Sequence, residues 1–431
     1  MRREGGSHRR YNLSVSARVS APSLQKGHMA NLHVISELKK AAATKIVLLV
    51  LDGLGGLPRE SDGRTELEAA ATPTMDRLAR EGTLGLSVPL GAGLTPGSGP
   101  AHLSMFGYDP IARPVGRGVL ESIGVGLEVR PGDVAVRGNF CTIDSQGLIT
   151  DRRAGRIPDD QAQLLTERLA EIRVDGAQVA IRHVREHRFA LVLRGPDLDP
   201  ALEDTDPQAT GVPPLPVRAS RPSAGKTATL VQGWVDQAFE RLRGERLANG
   251  LTLRGFSTDP ALPPFPKTFG VRAGCIAVYP MYRGVSALAG MQVVAVDGET
   301  PEDEFRAAAG AWKDFDFLFI HIKKPDSRGE DGDFEGKARA IEEVDQALPA
   351  LLDLKPEVLA ITGDHSTPSR LCSHSWHPVP LLLWAPATTR RDVQDHFGET
   401  ACAAGGLGTF PASDLMPLLL AHAGRLEKYG A

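Results

Sequence analysis

The sequence has only four cysteines in 431 residues, and Cys141, Cys275, Cys372 and Cys402 are too scattered to form paired metal ligands. That spacing argues against a disulfide framework and fits reduced thiols in a cytoplasmic protein. Long hydrophobic runs are missing too. Runs such as Ile46 to Leu51 fall far below the roughly 18–20 apolar residues a membrane span needs. No excess of one charge exists either: the net charge is −4, which leaves no footprint for nucleic acid or a membrane surface. There is no internal repeat. What remains has ordinary globular composition, 42% hydrophobic and 24% charged, and is too long for one small core. A charged partner must therefore be read by a local site.

Residues 1–28 differ in kind. Arg2, Arg3, Arg9, Arg10, Arg18 and Lys26 lie among Ser and Gly, with Glu4 the only acid. This stretch is expected to be a disordered basic tail, with natural initiation at Met29 or a targeting peptide as the other readings.

Downstream, a short helical pattern over 31–43 precedes Lys45 to Leu51, an unbroken β-branched run that predicts a parallel strand buried on both faces. It stops at Asp52-Gly53. Phe315 to Ile322 runs similarly into Lys323-Lys324-Pro325-Asp326, and Glu357 to Thr362 into Gly363-Asp364-His365. Val379 to Trp384 follows His374 and His377, and helical periodicity fills Glu335 to Leu352. Strands alternating with helices predict an α/β fold with a doubly wound, mostly parallel sheet, whose ligands bind beyond the carboxyl ends of the strands. The Arg- and Pro-rich middle predicts short strands (Phe189 to Leu193, Gly274 to Val278), helices (Asp160 to Arg173, Thr227 to Arg243) and a long loop from Gly195 to Gly225. The expected organisation is a discontinuous core of 29–126 and 284–431, with a second, inserted α+β domain over 127–283.

An Asp before Gly at a strand end is commonly just a turn former. The pair Asp364-His365 says more, since an adjacent carboxylate and imidazole can ligate one cation or two neighbouring ones. His374 reads equally well as a core histidine or a ligand. Asp326 and Glu330, four apart, lie in a loop too rich in Gly and charge for a core helix, and Asp331 and Asp333 read as solvated. Ser98 stands between Gly97 and Gly99 before a helical run. A serine there commonly caps the helix, yet the same position favours a phosphate or an alkoxide through backbone N–H groups and the helix dipole. No Ser-His-Asp ordering stands out to activate it, whereas carboxylates and histidines suited to metal do.

Three runs carry a family resemblance: Val50-Leu51-Asp52-Gly53-Leu54-Gly55-Gly56, Thr95-Pro96-Gly97-Ser98-Gly99-Pro100-Ala101-His102 and Thr362-Gly363-Asp364-His365-Ser366-Thr367-Pro368. With Arg137-Gly138-Asn139-Phe140, Asp151 to Arg156 and Leu253-Arg254-Gly255, the chain resembles the archaeal-type, cofactor-independent phosphoglycerate mutases of the alkaline phosphatase superfamily from about Met29 onward. The resemblance implies an alkaline-phosphatase-like core, a phosphoserine intermediate on Ser98 and two divalent ions, manganese or magnesium, with zinc or cobalt as lesser options. By motif, Asp52, Ser98, Asp364 and His365 would hold one ion, and Asp326 and His374 the other. Glu330 stands where bacterial relatives commonly have His, and is retained as a harder oxygen ligand. The expected substrate contacts are His102, Arg152, Arg153, Arg254 and Lys267, and Asp151 is the expected general base. The expected substrate is a small phosphoglycerate, handled in glycolysis and gluconeogenesis. A metal-dependent phosphomonoesterase and a non-catalytic phosphometabolite-binding relative are the alternatives.

Overall fold

The computed structural model describes residues 32–430, so the basic tail lies outside the described residues. Eight strands form the larger sheet, in the order Gly408–Pro411, Thr83–Val88, Val379–Trp384, Val358–Thr362, Ile46–Leu51, Phe317–Ile322, Ala273–Ala277, Gln292–Val294. All run parallel except Val379–Trp384, which is antiparallel to both neighbours. The fold is α/β with a mostly parallel sheet, as expected. Its central strand explains the unbroken hydrophobic run. Ile46, Leu48 and Val50 pack into the core on one face, with Phe317 and Phe319, while Val47, Leu49 and Leu51 pack into the core on the other, with Leu318, Ile320 and Ile361. A strand covered by helices on both sides has no polar face to show.

Between Thr83–Val88 and Ala273–Ala277 the chain builds a separate five-stranded antiparallel sheet of Val134–Ile143, Ile149–Asp151, Gln178–Arg185, Arg188–Arg194 and Gly250–Ser257. Helices Asp159–Ala170 and Gly225–Leu242 supply residues to its own core around Trp234, Phe140 and Phe189. The second unit therefore ends near Ser257 rather than at 283. Ala273–Ala277 pairs in parallel with Phe317–Ile322 and so belongs to the large sheet, and an apolar pentapeptide carries no mark of which sheet it will join. The edge strands Gln178–Arg185 and Gly408–Pro411, and Thr83–Val88 inside the large sheet, lack the long apolar runs that announced the others. Among the described residues no helix is long and apolar enough to cross a membrane.

Candidate active site

The three parallel strands at the middle of the large sheet, Val358–Thr362, Ile46–Leu51 and Phe317–Ile322, are immediate neighbours. Their carboxyl ends therefore set Asp364-His365, Asp52 and Asp326 side by side, as sheet topology requires. Val379–Trp384 runs the other way, so its start faces that edge; this is why His374 precedes its strand whereas Asp52 and Asp364 follow theirs. Gly53 takes φ +63°, and a Cβ there would stand 2.6 Å from Thr367 Oγ1 and 2.8 Å from Asp326 Oδ1. Only glycine fits this left-handed turn, which aims the Gly53 N–H at Asp364 Oδ1, 3.1 Å away.

Ser98 is the first residue of helix Ser98–Met105, and Gly97 takes the cap position with no side-chain cap bond. The capping reading of Ser98 is thus set aside. Its hydroxyl donates instead to His365 Nε2 at 3.2 Å. Gly99 is small for packing, because a Cβ there would stand 2.5 Å from Leu120 Cδ1.

His365 Nε2 also lies 3.4 Å from Asp52 Oδ1 and 3.2 Å from Asp364 Oδ2. Asp52, Asp364 and His365 are wholly buried, yet Asp52 Oδ1 and Asp364 Oδ2 make no hydrogen bond. Two bare buried carboxylate oxygens converging on one imidazole nitrogen are costly unless a cation shares them, so the residues present fit a divalent ion. The tautomer agrees. Thr367 Oγ1 donates to Asp326 Oδ1 at 2.6 Å and so accepts from His365 Nδ1 at 3.0 Å, leaving Nε2 bare for a metal. Burial holds the His365 imidazole well below its usual range and therefore neutral. Burial, reinforced by the charge of Asp52, pushes Asp364 well above the usual carboxylate range. Asp52 stays well below that range: burial opposes its charge, but Lys323 and His321 outweigh it.

A second group, Asp326, His365 and His374, keeps its donor atoms within 4.8 Å of one another. His374 Nδ1 donates to Pro96 O at 3.0 Å and points Nε2 at Asp326 Oδ1, 3.6 Å away. Glu330 lies outside both groups: its side chain is 55% exposed and its nearest carboxylate oxygen is 3.8 Å from His374 Nε2. Between the two groups sits a cation that the strand-end acids did not announce. Lys323 Nζ lies 3.0 Å from Asp52 Oδ2 and 2.5 Å from Asp326 Oδ2. Tyr282 donates its hydroxyl to the same Asp52 oxygen and stacks on His321 at 3.5 Å.

Ser98 opens into a cavity of about 550 Å³ whose far wall is built by the second unit. Arg152, Arg153 and Arg254, the arginines expected to contact substrate, all line it, and so do Arg137 and Arg156 of the same motifs and Arg117, Arg185 and Arg188, none of which was named as a contact. Arg137 and Arg254 are partners across adjacent strands. Arg152 makes a two-point contact with Asp206 (3.2 and 2.8 Å), a residue of the long loop, and Arg254 approaches the same carboxylate at 3.7 Å. Arg153 makes no ion pair among the described residues, which leaves it free for an anion.

A family model of 2,3-bisphosphoglycerate-independent phosphoglycerate mutase matches residues 79–248. An Aquifex aeolicus protein named "Probable 2,3-bisphosphoglycerate-independent phosphoglycerate mutase" is 49% identical over 409 residues, covering 93% of this chain and 100% of its own. The chain belongs to the 2,3-bisphosphoglycerate-independent phosphoglycerate mutase family. A Thermus thermophilus relative with the same name is 49% identical, covering 92% of this chain and 99% of its own. Two solved structures share the architecture of this family member. A Pyrococcus horikoshii protein superposes with a TM-score of 0.78 at 31% identity, covering 91% of this chain and 100% of that one. The cofactor-independent phosphoglycerate mutase of Thermoplasma acidophilum reaches 0.66 at 30% identity, covering 88% and 100%.

Not every expected site residue of this mutase-family chain faces the cavity. His102 is wholly buried beneath Ser98, its Nδ1 donating to Ser98 O at 2.7 Å and lying 3.4 Å from Asp364 Oδ2. It positions the serine turn and is absent from the cavity wall. Asp151 is also absent from the wall, and both its oxygens are taken by backbone amides, Arg153 N at 2.8 Å and Gly155 N at 2.6 Å. Its turn-forming chemistry explains the signal that had suggested a base. Lys267 sits in helix Phe265–Phe269 beside Lys39, which donates to its carbonyl, and takes no part in the wall. Asp333, expected to be solvated, caps helix Phe334–Leu352 through Gly336 N at 2.8 Å. Asp331 lines the cavity.

Proposed function

We propose that the protein interconverts 3-phosphoglycerate and 2-phosphoglycerate through a phosphoserine on Ser98, in the glycolytic and gluconeogenic metabolism of the cytoplasm. The observation that carries this reading is the placement of an uncapped serine hydroxyl between the buried Asp52–Asp364–His365 cluster and an arginine-lined cavity. A phosphoglycerate bears a phosphate and a carboxylate, and planar guanidinium groups hold both by paired hydrogen bonds. Arg153 is free to do so, and Arg152 and Arg254 stand beside it. Ser98 attacks the phosphorus as an alkoxide, its hydroxyl proton having left to solvent before closure; a divalent ion, when bound, would lower the pKa of that hydroxyl. The N-terminus of helix Ser98–Met105 directs backbone N–H groups at the phosphoryl oxygens. Asp52, Ser98, Asp364 and His365 would hold one divalent ion, manganese or magnesium, and Asp326 and His374 a second, with Glu330 as a further oxygen ligand. Bound there, such ions supply neutralisation of the charge that develops on oxygen. The second unit acts as a lid that retains glycerate and excludes water.

The test is to supply 3-phosphoglycerate and manganese and to separate the products. The expected main product is 2-phosphoglycerate. Free phosphate in its place would make the protein a phosphomonoesterase and sink the mutase reading.

A further inference from the structure

With Asp151 engaged by its own turn, the glycerate oxygens need another proton carrier. On the second unit's side of the cavity the acids are held in ion pairs with arginines. Glu186 pairs with Arg188 at 3.4 Å, and Glu121 with Arg137 at 3.2 Å through Oε1, although its buried Oε2 makes no hydrogen bond. His187 is different. It lines the same cavity as Ser98, its side chain is 3% exposed, and its Nδ1 makes no hydrogen bond. Buried imidazoles ordinarily find a partner, and Glu186 Oε2, 3.8 Å from Nδ1, stands too far off to be one.

The backbone also shows that this side chain is placed at some cost. Glu186 and His187 are the two residues joining strands Gln178–Arg185 and Arg188–Arg194. Two-residue hairpins favour Asn-Gly or Asp-Gly, whose first residue tolerates positive φ. Here Glu186 takes that conformation at φ +47°, a strain of about 1–3 kcal/mol that persists where surrounding structure enforces it. The enforcing contact is His187 O, which accepts from Phe140 N on the neighbouring strand at 2.8 Å. A turn that breaks its own local rule in order to hold an imidazole in the substrate cavity marks a functional residue.

We propose that His187 is a catalytic residue, the proton carrier for the two glycerate oxygens; this rests on the phosphoglycerate reading above. In the free protein, burial and the surrounding Arg188, Arg137, Arg153 and Arg156 hold the imidazole down to about 3. Substrate anions set against those guanidinium groups offset the arginine part of that depression, and the proton that His187 donates is one taken up as the anionic substrate binds. As the Ser98 Oγ–phosphorus bond forms and the bond from phosphorus to the leaving glycerate oxygen breaks, that oxygen takes the electron pair and the His187 proton. Glycerate then presents its other hydroxyl, whose oxygen bonds to phosphorus. The Ser98 Oγ–phosphorus bond breaks, Oγ takes the electron pair and is again the alkoxide it began as, and the attacking hydroxyl returns a proton to His187. Each group ends the cycle as it began.

The experiment compares leaving groups in the full-length, manganese-loaded protein and in His187→Gln, which keeps size and polarity but cannot carry the proton. Phosphoserine formation is followed by acid quench with 3-phosphoglycerate, whose leaving alkoxide needs a proton, and with p-nitrophenyl phosphate, whose phenolate does not. The expected result is a loss of about 100-fold or more with 3-phosphoglycerate, a KM within threefold, and an unchanged rate with the aryl ester. Equal losses on both substrates would assign His187 a structural role, and no loss on either would assign it none; each overturns the proposal. His187→Asn gives the same contrast should the glutamine variant fold poorly. A wild-type protein that releases only inorganic phosphate defeats the mutase reading, while the leaving-group contrast still decides His187.

Discussion

The two walls of the cavity are built on opposite electrostatic principles. On the large-sheet side, Asp52, Asp364 and His365 are wholly buried and two carboxylate oxygens are left bare. On the antiparallel side, eight arginines line the cavity, and those with partners, such as Arg152 with Asp206, are held by acids behind them. One wall is short of positive charge and the other holds it in excess. A phosphoryl group brought between them meets donors fixed in advance on one side and a nucleophile on the other, an arrangement that needs little reorganisation during reaction. The first wall is made of strand ends, and the arginine wall mostly of strands and loops of the separate sheet, with Arg117 added from helix Arg117–Gly124.

The sharpest way to break this comparison is to remove the nucleophile that stands between the walls. Ser98→Ala should lower turnover by at least about a thousandfold without changing the melting temperature, as read in a coupled assay for 2-phosphoglycerate. Residual activity near wild type would mean the nucleophile is elsewhere.

The buried wall is tested next. Manganese added to metal-free protein should stabilise it by about 2.7 kcal/mol at a hundred times its dissociation constant, raising the melting temperature. Asp364→Asn should abolish that rise and, by relieving the strained pair with Asp52, leave the metal-free protein at least as stable as wild type. A variant that still responds fully to manganese would contradict the assigned ligand set.

The arginine wall should divide into two behaviours. Arg153→Ala removes a free cation and should raise KM about 10- to 100-fold, the worth of a charge-assisted hydrogen bond of ~1.5–3 kcal/mol, with stability unchanged. Arg152→Ala should raise KM and also lower the melting temperature, because it strips the two-point partner from the buried Asp206. Identical behaviour of the two variants would erase the distinction between free and braced arginines.

The smallest effect on activity lies outside both walls. Burial pushes Glu304, in helix Pro301–Ala311, up to about 9. Its folded carboxyl keeps a proton that the unfolded chain gives up near its ordinary value, so stability falls as pH rises from the unfolded value through 9. Glu304→Gln should therefore melt higher than wild type at pH 8, with the gap closing toward pH 4.5 and turnover unchanged. A gap independent of pH would exclude titration as its cause.

Legibility in the sequence followed burial. Lys45 to Leu51 announced its strand because both faces are covered, and the acid after it stood out against an apolar run. Thr83–Val88 and Gln178–Arg185 were silent because mixed burial leaves no comparable run. Asp52, Ser98, Asp326, Asp364, His365 and His374 were legible and stand together. Lys267 was misplaced, and Lys323 and His187 carried no signal, since a basic residue or histidine after a strand looks the same whether it faces solvent or a site. Asp151 misled for a related reason: carboxylates suited to proton transfer are equally suited to capping turns.

By itself, the order of apolar runs and strand-end acids determined a parallel sheet with a ligand edge, because burial on two faces and chain direction are both written locally. Only the tertiary structure decided which arginines form a wall, which carboxylates are braced and which buried histidine nitrogens lack a hydrogen-bond partner. Those properties depend on distances between segments far apart in sequence, such as Arg137 against Arg254 and Ser98 against His365, and no local pattern encodes them.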